Sequence, residues 1–595
     1  MTDASGTTTY GYDDHDRLAT KATPQGTLSY TYDPAGNVAT MQSSNANGVS
    51  VAYTYDSLNR LATVVDNRLP AGANATTYAY DPASNLATVT YPNGLQSTFQ
   101  YDDLNRVTAL NNGKASYTYT LGPTGSRQSA TESSGRTLNW SYDGIYRLTN
   151  ETITLDPMSK NGTVAYGLDP VGNRLSQTSS IPGIPTASFL YDFDDRIQPP
   201  TESYHPNGNT LVSGSRTFTY DFANRLKSMT MSGSPGVTLV YDGDGNRVAK
   251  TVGATTTRYL VDDLNPTSYD QVVEEIGAGG VQRTYTYGLQ RINQIQLVNS
   301  TWAPSFYGYD GLGSVRQLTN STGTVTDTYD YDAWGNAVNT TGSTSNVYLY
   351  RGEQYDPDLN LYYLRARYLN PLTGTFLTTD PEEGATAEPS SFHRYAYAAA
   401  DPVDRIDPSG RASCGAGLLI SVPGSEWYLA FSPSRIGSLS FMLALKPASW
   451  SKCGCCDPMS PDVLRGATCA LASTQWGLNT NKERFFWITQ SNGTCGVKPL
   501  PYSNEEAQVT INLNTKPANT CAMGHTHPGG AQKTLSPMPT KGKDDVAAKG
   551  AGVKCDYVYS RNAVWGITAD GDQFQISSGT WWKPYEKTKC KKLGW

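Results

Sequence analysis

Cysteine is missing from the first 413 residues of this 595-residue chain; all nine (Cys414, Cys453, Cys455, Cys456, Cys469, Cys495, Cys521, Cys555 and Cys590) come after them. Disulfides therefore cannot staple the larger part of the molecule, which must hold itself by packing and hydrogen bonding. Histidine is almost as scarce, with five in the whole chain, yet two of them stand together as His525-Thr526-His527. No apolar run approaches the roughly 18 residues that span a bilayer. The best stretch, CGAGLLISV from Cys414, is far too short, so no membrane-spanning segment is expected. The opening MTDASGTTTYGYDDHDRL has neither a basic region nor an apolar core, so no signal peptide is expected in this stretch.

What is present divides at one seam. From Ala412 onward there are 19 Lys+Arg against 12 Asp+Glu, and before it 27 against 41, so an acidic body of net charge −14 precedes a basic, cysteine-rich tail of +7. A chain of this length also exceeds what one core accommodates, so at least two domains are expected.

The acidic part repeats itself. YGYDDHDRLAT from Tyr10 returns as YTYDPAGNVAT from Tyr30, YTYDSLNRLAT from Tyr53, YAYDPASNLAT from Tyr78, FQYDDLNRVTA from Phe99 and WSYDGIYRLTN from Trp140. Looser copies follow at Tyr220, Tyr241, Tyr309 and Tyr331, at intervals of about 20 to 25 residues. Each copy is an aromatic period-two strand, a polar turn and a short return strand, which is a β-hairpin. One hairpin alone is marginal in water, so the copies must pair edge to edge into a continuing sheet. The excess of tyrosine over phenylalanine, 40 to 13, suits aromatic area that ends in a polar tip, as on strands wetted on one face.

These units resemble YD/RHS repeats, and RGEQYDPDLNLYYLRARYLNPLTGTFLTTDPEEG with FHRYAYAAADPVDRIDPSG resembles the terminal signature of an RHS core. The resemblance implies a mostly β protein: a hairpin spiral shell over residues 1–350, a terminal signature over 351–411, and a smaller α/β payload over 412–595, commonly a toxin of interbacterial conflict that the shell encloses. In many such proteins the shell frees the payload by aspartyl self-cleavage. Carried onto this chain, the acids are Asp380 and Asp407, and the cut falls after Arg411, where relatives usually carry leucine. Paired carboxylates suit this chemistry because like charges at close range separate their pKa values into one acid and one base. Against this stands the plain reading that Asp-Pro makes turns.

In the tail, the order expected is a helix (Pro461–Asn479), strands at RFFWITQ and AQVTINLNT, a strand CAMGH ending at the histidines, a helix at DDVAAKGAG, and a closing hairpin through DYVYS and AVWGITADGDQFQI. Two imidazoles at i and i+2 on an extended segment share one face and can meet a single ion, with Asp545 or Asp544 as the candidate third ligand. HTHP with Ser536 seven residues on resembles the JAB/JAMM metallopeptidase motif, although the residue three beyond Ser536 is Pro539 rather than aspartate. That resemblance implies Zn²⁺ held by His525, His527 and Asp545, Glu483 as general base (Glu505 and Glu506 being the alternatives), and Ser536 steadying an oxyanion in amide or isopeptide hydrolysis.

The partners so implied are a protein or peptide substrate in a target cell, a cognate immunity protein and a secretion or delivery apparatus; nucleic acid is not expected. The localisation implied is that of a secreted or delivered effector. Disulfides among the tail cysteines fit an oxidising compartment. Two other readings compete: a nuclease payload, favoured by the +7 balance and the basic YEKTKCKKLGW terminus, and a non-enzymatic surface or adhesion protein with a cysteine-stapled cap.

Overall fold

The computed structural model describes residues 1–384, 389–411 and 413–415, and after these a set of strands between 428 and 578 whose backbone alone is described. The chain divides into two units, Met1–Leu443 and Ala444–Trp595.

The first unit is almost entirely antiparallel sheet. Strands from Thr9–Tyr12 to Ala187–Ser188 pair each with the next in sequence, and a second set of fourteen runs likewise from Glu202–Tyr204 to Ala337–Thr341. A four-stranded sheet follows, made of Gln354–Asp356, Leu361–Leu364, Arg367–Asn370 and Thr375–Phe376. The mostly β class expected from the repeats is what the chain adopts.

Local chemistry explains why each YD phrase folds as it does. The aspartate Oδ1 accepts from the backbone N–H four residues on, at 3.0 Å in Asp13–Arg17, Asp56–Arg60 and Asp102–Arg106, while Oδ2 accepts from the same arginine's Nε at 2.7–2.8 Å. These bonds hold the turn aspartates below the usual carboxylate range despite the opposing pull of burial. The third residue after the aspartate takes positive φ, at Asp16, Asn59 and Asn105. Aspartate and asparagine tolerate that region better than most side chains, which accounts for the turn's polar composition.

The tyrosine before each aspartate reaches back to the preceding repeat. Tyr32 Oη donates to the Leu18 carbonyl at 2.7 Å, Tyr55 to Val38 at 3.0 Å, Tyr80 to Leu61 at 2.9 Å and Tyr101 to Leu86 at 2.9 Å. Phenylalanine could not make this bond. The polar tip expected to meet water therefore meets a backbone carbonyl in these repeats.

The two large sheets face each other in step. Tyr30 Oη donates to Asp262 (2.8 Å), Val49 N to Glu274 (2.8 Å), Thr286 Oγ1 to Asp66 (2.7 Å), Gln317 Nε2 to Asn112 (2.8 Å) and Ala333 N to Glu151 (2.8 Å), so advance along one sheet matches advance along the other. One apolar cluster runs through both, from Leu28 and Val51 to Leu318 and Trp334, and continues into Tyr362, Leu369 and Phe376 of the four-stranded sheet.

In the second unit, six strands lie in the order Thr494–Pro499, Phe485–Ser491, Thr520–His527, Cys555–Ser560, Ala563–Thr568 and Gln573–Ser578. The strands expected at RFFWITQ, CAMGH and through DYVYS to DQFQI are there, and Thr494–Pro499 is an addition. Both expected helices and the AQVTINLNT segment lie outside the described residues.

Candidate self-cleavage centre

The four-stranded sheet sets up the site. Its turn between Leu364 and Arg367 places Arg365 at φ 57° and starts the third strand of this sheet with Arg367, whose residues Arg367–Asn370 are all buried. A buried guanidinium needs anionic partners. Arg367 Nη2 lies 2.6 Å from Asp380 Oδ2 and 3.0 Å from Asp407 Oδ2, so one nitrogen holds an oxygen of each of the two predicted acids. The guanidinium also sits 3.7 Å over the Phe376 ring.

Asp380 follows the strand Thr375–Phe376 and is pinned by its own backbone: its N–H donates to the Arg394 carbonyl at 2.9 Å, and Arg394 Nη2 donates to the Asp380 carbonyl at 2.7 Å. Burial raises both carboxyls above the ordinary aspartate value, with the Arg367 guanidinium pulling the other way. Asp407 is the more deeply buried. The pairing of like charges is thus mediated by a cation, which keeps two acids close at a cost that direct contact would make larger.

Asp407-Pro408-Ser409-Gly410-Arg411 is a YD-type turn. Arg411 N donates to Asp407 Oδ1 at 3.0 Å and Gly410 N to the Asp407 carbonyl at 3.3 Å; the Asp33-Pro-Ala-Gly-Asn37 turn makes the same two bonds at 2.9 and 3.0 Å. Glycine is required at 410 for two reasons, since φ is +67° and a Cβ would lie 2.2 Å from the Leu364 carbonyl. The plain reading of Asp-Pro as a turn is therefore right for Asp407, and incomplete. In the repeats that carry arginine four residues on, Oδ2 of the aspartate takes that arginine; in Asp33–Asn37 it takes the asparagine. Here Oδ2 takes Arg367, and the Arg411 side chain reaches out to Glu382 Oε1 at 3.3 Å.

The return strand also differs. In the first repeat Tyr12 pairs with Leu18 around Asp13–Arg17, whereas Ile406 pairs with Cys414 around residues 407–413, so the chain has two further positions, 412 and 413, before pairing resumes. The predicted cut, Arg411–Ala412, falls where those positions begin. The strap is clamped from beneath: Arg367 Nε donates to the Gly410 carbonyl, Arg365 Nη1 to the Pro408 carbonyl, and Arg365 also grips Glu353 at 3.1 and 3.2 Å.

A nearby acid pair in the same signature serves the fold. Asp401 Oδ1 accepts from Asp404 N at 3.1 Å, and Asp404 accepts from Arg127 N at 3.1 Å and from Arg127 Nη1 at 3.3 Å, tying the signature to the first sheet.

Arg367 was missed by sequence reasoning. Its signal was a lone charge opening RYLN, a stretch that otherwise reads as a buried strand.

For the tail, His525 and His527 stand two apart near the end of Thr520–His527, a strand that pairs antiparallel with Phe485–Ser491 and in parallel with Cys555–Ser560. Alternate residues of a strand share a sheet face, so the backbone puts both histidines on one side. Glu483, Ser536, Asp544 and Asp545 lie outside the described residues.

Tyrosine-tied Asp turns repeated along a continuing antiparallel sheet are the mark of a YD-repeat sheet. Residues 124–403 match the Teneurin YD-shell family, and residues 12–45, 32–73 and 80–117 match the RHS Repeat family, so this part of the chain is an RHS/YD-repeat shell. Among known proteins, the chain is 30% identical over 414 residues to the tRNA3(Ser)-specific nuclease WapA of Bacillus spizizenii, covering 69% of this chain and 16% of that protein. It is 24% identical over 479 residues to the Double-stranded DNA deaminase toxin A of Burkholderia cenocepacia, covering 68% and 32%. The chain thus spans less than a third of either relative. Its fold is similar to the Photorhabdus luminescens Tc holotoxin pore, with TM-score 0.56 and 16% identity over 74% of this chain and 23% of that one. Among the described residues no helix is long and apolar enough to cross a membrane.

Proposed function

We propose that this chain is a toxin carrier whose RHS/YD-repeat shell encloses its C-terminal segment and frees it by aspartyl self-cleavage at Arg411–Ala412. The observation that carries the reading is Arg367 Nη2 bound to both Asp380 and Asp407. Water supplies the nucleophile: one carboxylate takes a proton from it as its oxygen attacks the Arg411 carbonyl carbon, the C–N bond to Ala412 breaks, and the protonated partner acid gives its proton to the departing nitrogen. Arg367 holds the two acids together and fixes the Gly410 carbonyl one residue upstream. Mass measurement of the purified chain tests this, with fragments ending at Arg411 and starting at Ala412 expected, and only the intact mass from Asp407→Asn.

For the released segment, the histidine strand supports a metal-dependent hydrolase. His525, His527 and Asp545 would hold Zn²⁺, which when bound makes a water acidic enough to serve as nucleophile near neutral pH. Glu483 would take the proton and Ser536 would donate to the oxyanion, in the manner of JAB/JAMM peptidases acting on a protein or peptide. A nuclease is the second reading, favoured by the relatives named for tRNA cleavage and by the basic balance of the tail. Released segment incubated with a peptide library and with tRNA, with and without chelator, separates the two. Peptide loss abolished by chelator supports the first, and tRNA loss supports the second. Either payload would act after secretion or delivery and would call for an immunity protein in the producing cell.

A further inference from the structure

We infer that Arg411 sets the rate of self-cleavage by competing with Arg367 for Asp407, and that Glu382 holds it away. The inference rests on the self-cleavage reading above. Arg411 occupies the position from which, in the repeat turns, an arginine closes onto the turn aspartate: Arg17, Arg60, Arg106, Arg147, Arg196 and Arg225 each place Nε 2.7–2.8 Å from the Oδ2 of the aspartate four residues before. The backbone of the strap already has that turn's geometry, with Arg411 N on Asp407 Oδ1 at 3.0 Å and positive φ at the residue before it. Closure would therefore need only a side-chain rotation.

In the closed form a second guanidinium would neutralise Asp407 and stand on its Oδ2. The carboxylate would then bind protons more weakly and would be screened from water, which suits a structural aspartate and not one that must exchange a proton. In the open form seen here, Arg411 pairs with Glu382 at 3.3 Å. Both side chains are more than half exposed, so this hold is weak. Glu382 is itself fixed to the site, since its N–H donates to Asp380 Oδ1 at 3.0 Å. The residue that keeps the arginine open is thus anchored to one catalytic acid while the arginine would close on the other.

The test measures first-order self-cleavage of the full chain by intact mass in the wild type, Glu382→Gln, Arg411→Leu and the double variant. Freed of its partner, Arg411 should slow Glu382→Gln by about two- to fivefold, the range that loss of an exposed ion pair supports. The acid limb of its pH–rate profile should move to lower pH as the added cation stabilises the ionised Asp407. Arg411→Leu should cleave at least as fast as wild type, and the double variant should match Arg411→Leu. A Glu382→Gln rate and profile equal to wild type would overturn the inference. So would a double variant as slow as Glu382→Gln, because Glu382 would then act without Arg411. If Asp380→Asn and Asp407→Asn cleave like wild type, it is the self-cleavage reading that fails.

Discussion

The repeat turns and the C-terminal strap use one backbone device for two ends. In Asp56–Arg60 the aspartate is satisfied inside five residues, both oxygens engaged by the same arginine, and its carboxyl is held below the ordinary range. In Asp407–Arg411 the same turn forms, but the second oxygen is given to an arginine from another strand, which is shared with a second acid, and burial lifts the carboxyl above that range. The difference lies in where the second oxygen goes: in Asp56 to the arginine of its own turn, in Asp407 to an arginine 40 residues away that also holds Asp380. Local satisfaction closes a hairpin; sharing through Arg367 brings two acids together, the arrangement on which the self-cleavage proposal rests.

The widest gap between the two regions should open on removing the guanidiniums. Arg367→Ala leaves the buried Asp407 and the partly buried Asp380 without their common cation; it should abolish self-cleavage and destabilise the first unit by about 3–5 kcal/mol, read from denaturant unfolding. Arg60→Ala, at a half-buried rim pair, should cost no more than about 1 kcal/mol and leave cleavage unchanged. Equal losses in the two variants would erase the distinction.

Glycine substitution should separate the regions next. Gly410→Ala puts a Cβ 2.2 Å from the Leu364 carbonyl, so the strap must lift and cleavage should fall at least tenfold. Gly36→Ala, at φ +93° with nothing within 4 Å of the new atom, should cost about 1 kcal/mol of stability and no cleavage. Fragment yield against unfolding midpoint distinguishes them.

Acidity gives the smallest contrast, and the signs are opposite. Turn aspartates with depressed carboxyls stabilise the fold above the ordinary value near 3.8, and that contribution is lost as pH falls through their lower folded values, about 2 at Asp13. Asp380 and Asp407 are raised, so the folded state binds protons more tightly than the unfolded one; their favourable contribution is complete below 3.8 and is lost as pH rises through the folded values. Unfolding midpoints of wild type and an Asp380→Asn/Asp407→Asn double variant, compared from pH 2 to 7, should show the wild type losing ground to the variant as pH rises above 4. Site-resolved carboxyl titration should place Asp407 above Asp56. The reverse order would contradict the assignment.

Much of this was legible because it is local. Tyr-x-Tyr-Asp carries the strand period, the turn and the repeat-to-repeat tie within one phrase, so the hairpins could be read without knowing their neighbours. Degenerate copies escaped: Gly122–Ser126 closes a repeat turn with glycine in place of aspartate, and its backbone bonds, Gly122 N to the Ser126 carbonyl and Gly125 N to the Gly122 carbonyl, keep the form. The strand Thr494–Pro499 was not expected, since glycine and proline disfavour strands, and it forms by pairing with Phe485–Ser491. The step-matched facing of the two large sheets and the role of Arg367 are long-range facts, set by contacts some 40 to 230 residues apart that no periodicity encodes.

The central claim is that Asp407, although it folds like a repeat-turn aspartate, does chemistry. Its most direct test is a time course of intact masses for wild type beside Asp407→Asn and Asp56→Asn. The account predicts that wild type and Asp56→Asn both split between residues 411 and 412 while Asp407→Asn stays whole. An Asp407→Asn chain that splits there at the wild-type rate would contradict it.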